Sequence, residues 1–234
     1  EPANEDVAYF NQILKAGVEG GCSDVHIKVG TPASFRISRA FHSIDFVPTQ
    51  AWMQSVIDGI CPKHMKAGLE ADRETDFSYS APGVGRFRTN VFQALGRWCI
   101  VMRYIKAVVP TFEKLGLPDI LKTVAESPRG IVLMAGTTGS GKSTTLAAML
   151  EHLNNNFRKH IVTLEDPIEF VFEENQCLIE QRELNLDTMS FHRAMKSALR
   201  EDPDVIMVGE MRDAISFQTS ISAADTGHTV ISTM

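Results

Sequence analysis

Long apolar runs are missing: no stretch of the 234 residues approaches the roughly 18 apolar positions that a membrane-spanning helix requires. A soluble chain is therefore expected. Cysteine is scarce. Cys22, Cys61, Cys99 and Cys177 lie far apart with no C-x-x-C pair, which argues against a zinc ribbon and against a disulfide framework, and predicts four reduced thiols. Clustered positive charge is lacking as well. Residues 1–110 carry 12 basic and 11 acidic side chains while residues 111–234 carry 11 and 18, so the acidic second half offers no footprint for a phosphate backbone, and no direct nucleic-acid partner is expected. The opening Glu1-Pro2-Ala3-Asn4-Glu5-Asp6 has neither the basic nor the apolar segment of a secretory signal. What remains is ordinary globular composition, 44% hydrophobic and 22% charged, enough for one large domain or two small ones.

The apolar pattern divides the chain. Val7, Phe10, Ile13, Leu14, Gly17 and Val18 share one helical stripe that meets a stop at Gly20-Gly21. Asp24–Val29 and Ser34–Ser38 then alternate with period two, as half-buried strands do. A second helix follows Pro48-Thr49, turns Trp52, Met53, Val56, Ile57 and Ile60 inward and ends at Cys61-Pro62. Residues 76–105 read as further strands, so residues 1–105 are expected to form an α+β domain on an antiparallel sheet. Periodicity fades around Pro110, Gly116 and Pro118, making 106–118 the expected interdomain linker. In 119–234, apolar runs at Gly130–Ala135, His160–Leu164, Asp204–Val208 and Thr229–Ser232 alternate with helical stretches near 142–153, 190–200 and 213–224. Apolar strands interleaved with helices predict an α/β unit, a parallel sheet covered on both faces.

One motif sets the chemistry. Gly136-Thr137-Thr138-Gly139-Ser140-Gly141-Lys142-Ser143 fits G-x-x-x-x-G-K-[ST], follows the apolar run Ile131–Met134 and opens a helix-forming stretch at Thr144. Glycines let the backbone curl so that successive N–H groups face phosphates, and the helix start adds its positive dipole. Lys142 is expected to serve the β- and γ-phosphates and Ser143 to hold Mg²⁺. Hydrolysis also needs a carboxylate. Asp204–Gly209 is an apolar strand leading to Glu210, the Walker-B arrangement, which makes Glu210 the expected water-activating base. Glu165 also ends an apolar strand and could reach the metal or its waters, whereas Glu169 is equally readable as a solvated loop carboxylate. The guanine-specificity tetrapeptide N-K-x-D occurs nowhere, which favours ATP over GTP.

Two further features stay open on the residues alone. His228 precedes an apolar strand and so sits at its amino end, away from the ligand-facing end, where a structural histidine is the ordinary reading. Arg86 and Arg88 alternate on one strand face, which suits either an oxyanion clamp or an exposed sheet surface.

Taken with Ser23–Ile27, Gly85–Asn90, Leu115–Pro118, Leu164–Phe170, Gln181-Arg182-Glu183, Leu199–Ile206, Gly209–Asp213 and Ala223–His228, the chain resembles the secretion-superfamily motor ATPases of type IV pili and type II secretion, most closely the PilT-like retraction ATPases. The resemblance implies a PAS-like N-terminal domain joined to a RecA-like P-loop ATPase core. It also implies a homohexamer that binds ATP and Mg²⁺, lies in the cytoplasm peripheral to the inner membrane, and acts on a membrane platform protein and a pilin filament. Position by position, Lys142 and Ser143 match the Walker-A residues, Glu210 the catalytic glutamate, Glu165 the Asp-box glutamate and His228 the first His-box histidine. Arg86 and Arg88 match arginines on the γ-phosphate side, including across a subunit boundary.

The family's second His-box histidine would fall one residue beyond Met234, so its C-terminal helical region is expected to lie outside this sequence. Assembly motors of the family carry a four-cysteine zinc insertion after the Walker region, whereas only Cys177 follows the P-loop here, which favours retraction over the assembly-type or secretion alternative. A ring subunit that binds nucleotide without hydrolysing it is the alternative from another class, and intact Lys142, Glu165 and Glu210 count against it.

Overall fold

The computed structural model describes residues 4–105, 108–211 and 213–234; Glu1, Pro2 and Ala3, Lys106 and Ala107 of the expected linker, and Arg212 of the Gly209–Asp213 motif lie outside the described residues. The chain separates into two units, Glu1–Ile105 and Lys106–Met234.

In the first unit, helix α1 (Glu5–Glu19) starts where the Asn4 side chain accepts from the Asp6 N–H at 3.0 Å, and it buries Phe10, Ile13, Leu14 and Gly17. Strands β1 (Asp24–Lys28), β2 (Thr31–Ile37) and β3 (Ala40–Ser43) follow, then helices α2 (Gln50–Ile60) and α3 (Lys66–Asp72), then β4 (Glu74–Ala81), β5 (Gly85–Ala94) and β6 (Arg97–Ile105). They form an antiparallel sheet in the order β3-β2-β1-β6-β5-β4. Alternation decides its faces: Val25, Ile27, Phe87, Val91, Ile100 and Met102 join Phe10, Leu14, Met53 and Ile57 of the helices in one core. The edge strand β3 is exposed throughout and carries no burial period, which is why the alternation pattern passes over it.

The opposite face is polar. Register sets Arg36, Asp24, Arg103 and Arg88 in one row across β2, β1, β6 and β5. Asp24, only 6% exposed, accepts from Ser23 Oγ at 2.8 Å and from Arg103 Nε at 3.0 Å. Burial pushes its carboxyl up, but these hydrogen bonds outweigh burial and hold it below the ordinary range. Like charges directly opposite each other repel, and the ion pair between Arg103 and Asp24 at 3.0 Å offsets the like charge of Arg88 across from Arg103.

The second unit begins with short helices α4 (Phe112–Leu115) and α5 (Ile120–Ala125). Phe112, within the expected linker, is 4% exposed and packs in the core of this unit. There follow β7 (Gly130–Met134), α6 (Lys142–Asn156), β8 (His160–Glu165), β9 (Leu178–Glu183), α7 (Phe191–Ala198), β10 (Val205–Val208), α8 (Ala214–Asp225) and β11 (Thr229–Thr233). The strands form a parallel sheet in the order β7-β11-β10-β8-β9. One face packs Ile161, Val205 and Ile231 on Leu146, Met149, Leu150 and Leu153 of α6. The other packs Val162, Leu164, Ile206, Val208 and Val230 on Ala194, Met195 and Ala198 of α7 and Ala223 of α8. Strand β9 is the addition to the four strands expected from sequence. As an edge strand with the sequence Leu-Ile-Glu-Gln-Arg-Glu, it has no continuous apolar run to announce it. Among the described residues no helix is long and apolar enough to cross a membrane.

Candidate nucleotide site

The sheet face toward α6 is apolar at one end and polar at the other. Along β8 it presents Ile161, Thr163 and Glu165, along β9 Ile179, Gln181 and Glu183, and along β11 Ile231 and Thr233. Because the strands are parallel, all the polar ends gather at the carboxyl edge, where such sheets bind ligands. A cavity of about 360 Å³ opens there.

Its floor is the loop between β7 and α6. Gly139 at φ +78° and Gly141 at φ +97° adopt the left-handed conformation that side-chain-bearing residues resist, and Gly141 caps α6. The first residues of the helix, Lys142, Ser143 and Thr144, line the cavity together with Thr138, Gly139 and Gly141. Their backbone amides are the donors that an α-helix leaves unpaired at its start. Gly136, Thr137 and Ser140 do not line the cavity; the carbonyls of Gly136 and Thr137 accept from Lys142 Nζ at 2.7 and 3.2 Å.

Four carboxylate residues line the same cavity, Glu165, Asp166, Glu169 and Glu210. Glu165 is 6% exposed; its Oε1 accepts from Thr163 Oγ1 at 2.6 Å and Gln181 Nε2 at 3.2 Å, and its Oε2 from the Glu169 N–H at 3.4 Å. Burial raises its pKa to about 7 against the opposing effect of these bonds. Glu210 is exposed at the cavity wall just past β10. The intervening Gly209 donates to Leu164 O at 2.8 Å, and a Cβ there would stand 3.4 Å from the Glu165 Cα and from Leu164 O. That close approach brings the ends of β8 and β10 together. Thr233 Oγ1, donating to Gly209 O at 2.8 Å, fastens β11 to the same turn.

Ser143, Glu165 and Glu210 offer only oxygen donors at one cavity, a set that fits a hard cation such as Mg²⁺. Among the described residues no group of three or more His, Cys, Asp or Glu could hold a metal alone, so phosphate oxygens and water would complete such a shell.

His228 is placed elsewhere. β11 runs parallel to β7 with Thr229 opposite Gly130 and Thr233 opposite Met134, so His228 lies at the far end of the sheet from the phosphate loop. There its Nδ1 sits 2.9 Å from Ala223 O and 3.2 Å from Thr226 Oγ1, at the end of α8. Arg86 and Arg88 belong to β5 of the first unit and share one face, with Arg86 Nη1 donating to Ser80 Oγ at 3.4 Å and Arg88 opposite Ser78 and Arg103. Every residue lining the cavity belongs to the second unit. Thr163, Phe172 and Thr233 complete the site without having been singled out from sequence, and Phe170 and Gln181, which lie in motifs of the resemblance, had been given no role. The one signal for Gln181 was its place in the Gln181-Arg182-Glu183 motif.

A pH test follows from Glu165. In protein freed of nucleotide and divalent cations, its carboxyl keeps its proton up to about pH 7, whereas in the unfolded chain it ionises near the ordinary glutamate value of 4.5. Between these values the unfolded state binds fewer protons, so stability falls as pH rises. Its contribution, fully present below pH 4.5, is lost through pH 7, a change of about 3 kcal/mol at 1.36 kcal/mol per pKa unit. Denaturant midpoints should therefore show Glu165→Gln gaining on wild type between pH 5 and 8. Parallel curves would refute the protonated carboxyl.

The family described as type II/IV secretion system protein matches residues 7–234. The chain is 45% identical over 226 residues to the type IV pilus retraction ATPase PilT of Pseudomonas aeruginosa, covering 96% of this chain and 66% of that protein. It is 38% identical over 226 residues to the type IV pilus ATPase PilU of the same organism, covering 96% and 59%. Among solved structures, that of the pilus retraction motor PilT with bound ADP superimposes with a TM-score of 0.88 at 41% identity, covering 96% of this chain and 66% of that one. The chain thus spans just under two thirds, or less, of the length of these relatives.

Proposed function

Because the chain belongs to the type II/IV secretion system protein family, we propose that it is part of an ATP-hydrolysing, ring-forming motor that drives type IV pilus retraction. The observation that carries this reading is the single cavity at which the phosphate loop, Glu165 and Glu210 meet. Likeness to the P. aeruginosa retraction ATPase supports the choice of motor, and the ADP held by the PilT structure supports the choice of ligand.

In this reading the amides at the start of α6 and the Lys142 ammonium hold the phosphates, with Gly136–Ser140 shaping the turn. Ser143 would hold Mg²⁺, with Glu165 and Glu210 as the carboxylates beside it, and the ion would supply neutralisation of phosphate charge. Glu210 orients a water toward the γ-phosphorus and takes its proton; the water oxygen bonds phosphorus as the β–γ bridging oxygen departs with ADP. Arg86 and Arg88 serve as arginine fingers across a subunit boundary, a contribution worth about 10³- to 10⁵-fold in related phosphoryl transfers. His228, at the other end of the sheet, is assigned no contact with the nucleotide of its own chain. The first unit is taken as a PAS-like domain and the second as a RecA-like ATPase domain of a homohexamer, cytoplasmic and peripheral to the inner membrane, that works on a platform protein and a pilin filament.

Phosphate release from Mg-ATP, measured with the mass in solution as protein concentration is raised, tests this. Turnover that rises as rings form is expected. ADP binding without phosphate release at any concentration would instead assign a non-hydrolysing ring subunit.

A further inference from the structure

The geometry points to Gln181 as a positioning residue that locks the Glu165 carboxylate to the aromatic wall of the nucleotide cavity. Gln181 stands on β9 opposite Thr163, and its amide reaches three groups. Its Nε2 donates to Phe170 O at 2.8 Å and to Glu165 Oε1 at 3.2 Å, while its Oε1 accepts from the Phe172 N–H at 2.9 Å. Only this amide orientation works, because reversing it would set a carbonyl against two acceptors and an NH₂ against a donor. One side chain therefore holds both the carboxylate and the backbone of the segment whose Phe170 and Phe172 rings wall the cavity.

No other residue type meets the same demand. Glutamate at this position would keep the acceptor for Phe172 but turn a second oxygen toward Phe170 O and Glu165. Methionine has the length but no hydrogen bonds, and asparagine is one methylene short. Thr163 also binds Glu165 Oε1, at 2.6 Å, but Gln181 is the residue that connects this oxygen to the Phe170–Phe172 backbone. When the segment shifts, the carboxylate shifts with it.

The inference rests on the ATPase reading above, and turnover measurements on the same protein separate the two. For Gln181→Met, kcat should fall by about 10- to 100-fold, the scale of a small misplacement of a reacting group. Affinity for ADP, which the phosphate loop carries, should stay unchanged, and the Phe172 amide should lose hydrogen-exchange protection. A residue that acts through Glu165 loses its influence once Glu165 is altered, so in a Glu165→Gln background the same substitution should change kcat by less than about twofold. An unchanged kcat in Gln181→Met, or the full loss persisting in the Glu165→Gln background, overturns the assignment. Should Gln181→Met fold poorly, Gln181→Glu carries the same test. Wild-type protein without turnover would bring down the ATPase reading itself; active wild type with an equally active Gln181→Met would bring down this inference alone.

Discussion

Glu210→Gln is expected to lower ATP turnover by about 10²- to 10⁴-fold with nucleotide affinity nearly unchanged, the range that a positioned acid–base group contributes. The substitution keeps size and shape and removes the capacity to take a proton. The turn is held by bonds to its backbone: Gly209 N donates to Leu164 O at 2.8 Å, Thr233 Oγ1 donates to Gly209 O at 2.8 Å, and Met211 N donates to Thr233 O at 3.1 Å, so its path should be kept. Glu165 cannot readily take over the proton, since it is enclosed by Thr163, Gln181 and the Glu169 amide while Glu210 is exposed at the cavity wall. Steady-state phosphate release and fluorescent-nucleotide titration on the same preparation check both halves. Turnover equal to wild type would remove Glu210 from the reaction.

Lys142→Ala should act on the other quantity. Its ammonium lies on the phosphate loop, bonded to the carbonyls of Gly136 and Thr137 at the start of the turn. Alanine removes the positive charge facing the phosphates and leaves those carbonyls without this donor. Hydrogen bonds to charged groups contribute about 1.5–3 kcal/mol each, so ATP affinity should fall by roughly 10- to 100-fold, and more if both terminal phosphates are served. Isothermal titration with ATP and ADP reads this directly, and an unchanged circular dichroism spectrum would separate it from unfolding. ATP affinity equal to wild type would mean that the helix-start amides carry the phosphates alone.

Much of this was legible in the residues because local physics wrote it there. The stripe Phe10–Leu14, the alternation in Asp24–Lys28 and the run Val205–Val208 each match an observed element, since a helix or strand with one buried face must repeat with its own period. The glycines of the phosphate loop were equally plain, as left-handed turns leave few other choices. Edge strands escaped. β3 is exposed along its length, and the buried face of β9 holds Ile179 beside the polar Gln181 and Glu183, so neither shows an apolar period.

The sequence by itself determined the phosphate loop, the carboxylates at the ends of two apolar strands and the alternation of strand and helix, because these depend on residues adjacent in the chain. Tertiary structure decided which of them meet. Parallel register put Glu165, Gln181 and Thr233, far apart in sequence, at one edge of the sheet, and it sent His228 to the opposite edge. Register also decided the chemical state of Glu165: packed between β9 and the 166–172 segment it loses water and holds its proton to about pH 7, a consequence of neighbours that no local pattern encodes.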